Sequence, residues 1–410
     1  MSFRRRVVIT GMGIYSTIGK SLSEVTQSLY LGKSGIGLDP MRKQFGYHSG
    51  LTGVLERPML KGQLDRRART GLSEPGEYAY MATVDAMKQA KIDPDYCENH
   101  EIGILYGNDS SIEPIIRSTD IIRQKGDTTM AGSGAIFQSL NSTVTMNLSV
   151  IFKLKGINLT VSGACASGSH AIGLGSLLIK WGLQDCIICG GAQEVNVYSV
   201  STFDALDAFS KREDEPQKAS RPFDISRDGL VPSGGAATVI IESYESAVKR
   251  GAPIIAEIIG YGFSSNGDHL SSPNVSGPTR SLEMSLREAG VSASEIKYVN
   301  AHATSTTVGD RNEAKAIADV FGDHTAFVAS TKAMTGHEMW MAGASEIVYS
   351  TLMMQNNFIA PNINFETPDE QSSRLKIPTK TVETSFDMFL SNSFGFGGTN
   401  SSLIVKKFLA

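Results

Sequence analysis

Ten short apolar runs, separated by helical and turn-forming stretches, mark the chain from Val7 to Val405, and they fall into two series of five. The first is Val7 to Ile9, Ile102 to Tyr106, Ile157 to Val161, Cys186 to Cys189 and Ala237 to Ile241. After Arg250-Gly251-Ala252-Pro253 the second runs through Ile254 to Ile259, Ile296 to Val299, Ala326 to Val328, Phe389 to Ser391 and Ser402 to Val405. Strand-length runs alternating with helical patterns predict an α/β layer structure with mixed or parallel sheet. The second series echoes the first, because Gly11-Met12-Gly13-Ile14-Tyr15-Ser16 resembles Gly260-Tyr261-Gly262-Phe263-Ser264-Ser265. That echo points to two similar halves, residues 1–252 and 253–410, with a site between them.

Three strand ends each carry a reactive side chain. Ile157 to Val161 leads into Ser162-Gly163-Ala164-Cys165-Ala166-Ser167-Gly168, and a buried helix is expected to follow. A thiol at a helix N-terminus faces unpaired backbone N–H groups and the positive end of the helix dipole, which favour the thiolate. Ile296 to Val299 delivers His302, followed by Thr304, Ser305 and Thr306; Ser330-Thr331-Lys332 leads through Gly336 to His337. In open α/β sheets reactive groups gather beyond the carboxyl ends of strands, where loops vary over a rigid base.

Composition narrows the classes of function. A chain of 410 residues, 41% hydrophobic and 20% charged, can bury a large core, and a net charge of −4 gives no basic field for nucleic acid. Arg4-Arg5-Arg6 before Val7-Val8-Ile9 imitates an export signal, but Thr10, Gly11 and Gly13 cut the apolar run short, which suits a first buried strand and its turn. No run reaches the ~18 apolar residues of a membrane span. Four cysteines (Cys97, Cys165, Cys186, Cys189) do not make a disulfide framework and fit a reducing cytoplasm. Cys186-Ile187-Ile188-Cys189 lacks a second ligand pair for zinc and reads as buried strand, so no metal is expected. The tail Ser393-Phe394-Gly395-Phe396-Gly397-Gly398-Thr399-Asn400 has no P-loop lysine. Glycines in the helix after Cys165 cost about 1 kcal/mol each relative to Ala, and close packing is the expected compensation.

Together, Ser162 to Gly168, Asn300-Ala301-His302-Ala303-Thr304-Ser305-Thr306 with Gly309-Asp310, Thr331 to His337, and Ser391 to Asn400 resemble the beta-ketoacyl-acyl-carrier-protein synthases, in that family's order and over the chain from Val7 to its end. The resemblance implies a thiolase-like fold: two similar halves in a five-layered α/β/α/β/α arrangement, the first carrying the nucleophile and the second the two histidines. It also implies a homodimer, with a heterodimer as the alternative. The implied reaction joins an acyl group on Cys165 to malonyl carrier protein with loss of carbon dioxide. No resident cofactor is implied, since phosphopantetheine arrives on the acyl carrier protein. By resemblance, the backbone N–H groups of Cys165 and Phe396 hold the thioester oxygen, and His302 and His337 donate to the enolate. Relatives that start chains carry Asn in place of the second His, so His337 assigns the chain to the elongating branch. Lys332 keeps the charge network near the histidines, with Glu313 as its expected ion partner. Thr304 and Thr306 match hydroxyls that bind pantetheine, and Phe394 and Phe396 match gate residues of the acyl pocket. A basic lip for an acidic carrier protein is expected from Arg66, Arg67, Arg69, Lys211 and Arg212.

The chain departs from the family pattern at Glu338-Met339-Trp340-Met341, where small residues are usual, and at Asn108-Asp109-Ser110. Trp340 adds bulk near the site, while Ser110 is expected to leave room at the pocket floor. These departures admit a specialised polyene or polyketide ketosynthase. A non-catalytic chain-length-factor subunit and a biosynthetic thiolase are the other readings; the presence of Cys165, His302 and His337 argues against the former.

Overall fold

A computed structural model describes residues 5–409, so Arg4 of the arginine run lies outside the described residues. All ten apolar runs are strands: β1 (Val7–Ser16), β2 (Ile102–Gly107), β3 (Asn158–Val161), β4 (Cys186–Gln193), β5 (Gly235–Ser243), β6 (Ala256–Ser265), β7 (Tyr298–Asn300), β8 (Phe327–Ala329), β9 (Met388–Phe394) and β10 (Thr399–Lys407). They form one sheet in the order β8-β7-β9-β10-β6-β1-β5-β4-β2-β3. Read from its outer edge, the first series is β3-β2-β4-β5-β1 and the second β8-β7-β9-β10-β6; subtracting five from each label of the second gives the first. The strand directions repeat as well. In each set the outer three strands are mutually parallel and the inner pairings are antiparallel. Among the described residues the two sets are paired through Val8 opposite Glu257 and Ile9 opposite Ala256.

Seven helices matter for the site: α1 (Arg66–Gly71), α2 (Glu74–Ala90), α3 (Ser167–Lys180), α4 (Ser276–Ala289), α5 (Thr307–Phe321), α6 (Lys332–Thr335) and α7 (Ala342–Asn356). α2 shows why such segments become helical: Pro75 sits in its first turn, Glu74 and Glu77 lie at the positive dipole end and Lys88 at the other. Its alanines and Met87 pack with Ile102, Ile104, Ile188 and Ile240 on the outer face of the first strand set. Leu282 and Leu286 of α4 and Ile317 of α5 cover the second set against Val299, Val328 and Ile404. Between the sets, Ile172 and Ile179 of α3 pack with Ile347, Val348 and Met353 of α7. Three cores separated by two strand sets make five layers, helix, sheet, helix, sheet, helix.

One glycine reading is revised. Gly11 and Gly13 do not end the first strand, which continues to Ser16 through a bulge after Ile9. They let α2 lie directly on it, since a Cβ at Gly11 would stand 2.3 Å from the Ala86 carbonyl oxygen and one at Gly13 1.9 Å from that of Ala82. Gly260 and Gly262 repeat the arrangement in β6 against Ser285 and Ser281 of α4, at 2.5 and 1.9 Å. The glycines of α3 do meet close neighbours: a Cβ at Gly173 would enter the Tyr261 ring, and one at Gly168 would press on Trp340 and Ala344. The helix stops at Lys180 with Gly182 at φ +75°.

Candidate active site

Cys165, His302, His337 and Phe396 follow the carboxyl ends of β3, β7, β8 and β9, and the repeated topology brings these four ends to one place. Cys165 lies in a single tight turn, Ala164–Ala166, just ahead of α3. Ala164 adopts φ +46°, a left-handed conformation that costs a non-glycine residue of order 1 kcal/mol. Hydrogen bonds hold it there: its N–H donates to Asp109 Oδ2 at 2.9 Å, and Ser167 Oγ accepts from the Gly163 N–H while donating to the Ala164 carbonyl. The strained turn projects the thiol into a cavity of about 480 Å³ that also borders both histidines, Phe394 and Phe396.

The expected bias toward thiolate is reversed in the resting site. Burial pushes the Cys165 thiol up to about 12; the Lys332 ammonium and the backbone N–H groups of Cys165 and Phe396 draw it down, but by less. Desolvation penalises the charged form more than these groups repay. The donors are therefore in place for negative charge that forms during reaction, while the resting group is a thiol.

His337 Nε2 stands 3.1 Å from Cys165 Sγ. Its Nδ1 accepts the Met339 N–H at 3.3 Å, which leaves the ring proton on Nε2, facing the sulfur. The His302 and His337 rings lie 5.4 Å apart and nearly perpendicular. Both imidazoles are held well below their ordinary pKa, first by burial and then by the nearby Lys332 ammonium, so both stay neutral.

The ion partner of Lys332 is Glu346 on α7, not Glu313. Glu313 is already engaged: its carboxylate accepts the N–H groups of His302 and Ala303, at 2.9 and 2.7 Å, and the Asn392 amide at 3.1 Å. It clamps the backbone that carries His302. Glu346 was legible in principle, as the one charged residue in the stretch from Ala342 to Met354. Burial raises Glu313 to about 7 and Glu346 to about 8, against the pull of their partners. A third buried carboxylate, Glu338, accepts hydrogen bonds from the hydroxyls of Ser16, Ser345 and Tyr349.

Thr304 and Thr306 border the cavity with their hydroxyl oxygens 3.2 Å apart. The Phe396 ring is 41% exposed and stacks on Phe203 at 5.6 Å, while Gly397 and Gly398 both take φ +76°, a backbone that few other residues adopt. Ser110 does not border the cavity. The room its small side chain leaves is filled by Trp340, whose indole N–H donates to Ser110 Oγ at 3.0 Å. Of the basic residues, Lys211 and Arg212 stand beside the mouth, paired with Asp207 at 2.7 Å and Asp228 at 3.6 Å, two acids that line it. Arg66, Arg67 and Arg69 lie on α1 and do not border the cavity. Among the described residues no group of three or more His, Cys, Asp or Glu side chains could hold a metal ion, and no helix is long and apolar enough to cross a membrane.

Residues 4–247 match the family described as beta-ketoacyl synthase, N-terminal domain, and residues 255–366 match beta-ketoacyl synthase, C-terminal domain. The chain is 39% identical over 407 residues to 3-oxoacyl-[acyl-carrier-protein] synthase 1 of Haemophilus influenzae, spanning 98% of this chain and 99% of that protein. It is 39% identical over 406 residues to the protein of the same name from Escherichia coli, with the same coverage. Among solved structures, a beta-ketoacyl synthase from Burkholderia phymatum is similar with a TM-score of 0.94 at 36% identity, covering 99% of this chain and 100% of that one. A type II polyketide ketosynthase in complex with its acyl-carrier protein is similar with a TM-score of 0.89 at 28% identity, over 99% and 100% of the two chains.

Proposed function

This chain belongs to the beta-ketoacyl synthase family, and on that footing we propose that Cys165 carries the acyl group while His302 and His337 drive decarboxylation. The protein is a 3-oxoacyl-[acyl-carrier-protein] synthase, an acyltransferase that condenses an acyl chain with malonyl-acyl carrier protein in fatty acid elongation. The Cys165 sulfur attacks the acyl thioester; the new C–S bond replaces the bond to pantetheine, and the thiol proton ends on the departing pantetheine sulfur. The carbonyl oxygen, negative during attack, is met by the N–H groups of Cys165 and Phe396. Malonyl carrier protein then loses carbon dioxide, and the electron pair of the broken C–C bond becomes an enolate whose oxygen accepts from the two neutral imidazoles. The enolate carbon attacks the acyl group, the C–S bond to Cys165 breaks with its electron pair on sulfur, and the thiolate takes a proton from solvent to regenerate the resting thiol.

One observation carries this reading: His337 Nε2 stands 3.1 Å from the sulfur where the acyl group attaches, with the Met339 N–H directed at Nδ1 on the other side of the ring. Burial and the Lys332 ammonium, which Glu346 holds in place, keep the histidines neutral, Thr304 and Thr306 bind the pantetheine arm, and Phe394 and Phe396 gate the acyl chain. Lys211 and Arg212 at the mouth, with Arg66, Arg67 and Arg69 beyond it, receive the acidic carrier protein. The repeated strand order supports a division at residues 1–252 and 253–410. A homodimer formed along β3 is supported by that strand's place at the sheet edge, where Leu159 is 53% exposed. Four free, buried cysteines support a cytoplasmic setting.

The test separates the roles. Cys165→Ala loses acyl loading from acyl carrier protein, read by intact mass. His337→Ala still loads but releases no carbon dioxide from malonyl carrier protein. Normal condensation in either variant overturns the assignment.

A further inference from the structure

The segment after His337 departs from the family's small residues, yet its side chains are tied into the fold on both sides of Met339. Glu338 is 1% exposed, and its carboxylate gathers three hydroxyls: Ser16 of β1 at 3.1 Å, Tyr349 of α7 at 2.8 Å, and Ser345, also of α7. Burial raises this carboxyl to about 7 while the three hydroxyls pull it down, and in its ionised form it only accepts hydrogen bonds, which three converging hydroxyl donors suit. Two residues on, the Trp340 indole is held by Ser110. Met339 itself stands at φ +45°, a conformation a methionine keeps only when its neighbours impose it. On the other side, the His337 N–H donates to the Val231 carbonyl at 2.7 Å and its own carbonyl accepts from the Ser233 N–H at 2.9 Å.

The Met339 N–H reaches His337 Nδ1 at 3.3 Å, long for a hydrogen bond, so a displacement of a few tenths of an ångström would lose it. Without that donor nothing in the turn selects one imidazole tautomer. We propose that Glu338 is a positioning residue for His337: by anchoring this turn to β1 and α7, it keeps the Met339 N–H on Nδ1 and thereby fixes the ring proton on Nε2. Glu338 thus does for His337 what Glu313 does for His302, each buried carboxylate holding the backbone beside one imidazole. Glu313 grips the N–H groups of the histidine segment directly, whereas Glu338 acts through the residue that follows it.

The inference rests on the role proposed above for His337, and the test keeps the two apart. Glu338→Leu, Glu338→Gln and His337→Ala are compared by acyl loading, by carbon dioxide release from malonyl carrier protein, and by nitrogen-15 spectra of histidine-labelled enzyme, in which His337→Ala assigns the ring signals. Glu338→Leu is expected to load normally, to lower kcat for carbon dioxide release by about 10- to 100-fold, short of the roughly 10²–10³ that follows outright loss of such a donor, and to leave KM for malonyl carrier protein unchanged. Its His337 signals move from the Nε2–H pattern to a mixture of tautomers, and Glu338→Gln falls between. An unchanged tautomer pattern in Glu338→Leu overturns the proposal, as does a loss of loading and decarboxylation in equal proportion. If Glu338→Leu does not fold, Glu338→Gln with wild-type spectra and wild-type carbon dioxide release overturns it. If His337→Ala releases carbon dioxide normally, the role of His337 fails, and the tautomer pattern alone decides what Glu338 does.

Discussion

Lys332 and Glu346 show how a buried ion pair can serve electrostatics more than stability. Both side chains are almost wholly buried, so each charge is costly without the other. Lys332→Met should therefore lower stability by about 3–5 kcal/mol, the usual result of orphaning one member of such a pair, and adding Glu346→Gln should recover most of it. Urea unfolding of both variants checks this. Condensation should stay depressed in both, because the ammonium that helps hold His302 and His337 neutral is absent in each; recovery of activity in the double variant would make Lys332 merely structural. Sequence reasoning found the lysine and both histidines, since each follows a strand end in a recognisable motif. It named Glu313 as the ion partner and did not reach Glu346, because proximity in space is set by how α5 and α7 pack, and the local pattern does not encode that. The elevated Cys165 thiol was hidden for a related reason: desolvation comes from the layers around the residue, while the helix terminus is visible in its own segment.

At the scale of elements, the ten strands of the large sheet were legible as apolar runs, with errors at their ends, while the short strands Ile36–Leu38, Leu51–Gly53, Phe358–Ile359 and Val382–Glu383 carry too few residues to show a pattern. β1 was cut at Gly11 because glycine after an apolar run usually signals a turn. Here the same residue answers to a helix packed directly on the strand, which only the tertiary contact reveals. The repeat offers a matched test of that contact. In Gly13→Ala the new methyl meets the Ala82 carbonyl, and in Gly262→Ala the Ser281 carbonyl, each at 1.9 Å. Backbone cannot yield as a side-chain tip does, so each substitution should destabilise by about 3 kcal/mol or more. Thermal unfolding of the two variants should show losses of similar size; tolerance of either would mean the helix rides less closely on its strand than the repeat requires.

In the whole molecule the two strand sets are paired, among the described residues, through two residue pairs along β1 and β6, so the central helix layer must do much of the joining. His170 of α3 lies at such a seam, with its ring nitrogens 2.7 Å from the Tyr261 hydroxyl of β6 and 2.8 Å from Thr399 Oγ1 of β10. Burial lowers its pKa to about 4, against 6.5 in the open chain. The unfolded chain therefore binds a proton there that the folded one refuses; the neutral ring's contribution is present above pH 6.5 and is lost as pH falls toward 4. Glu313, Glu338 and Glu346, raised by burial, work in the opposite direction over an overlapping range, so the net pH profile does not isolate the histidine. A difference between variants does. Relative to His170→Gln, which cannot titrate, the wild-type protein should lose about 1–2 kcal/mol between pH 7.5 and 5, the linkage expected for a buried imidazole over that interval. Denaturant unfolding of both proteins at the two pH values measures it. A pH-independent difference would mean that His170 accepts its proton in the folded state and that the seam between α3 and the second strand set opens to water.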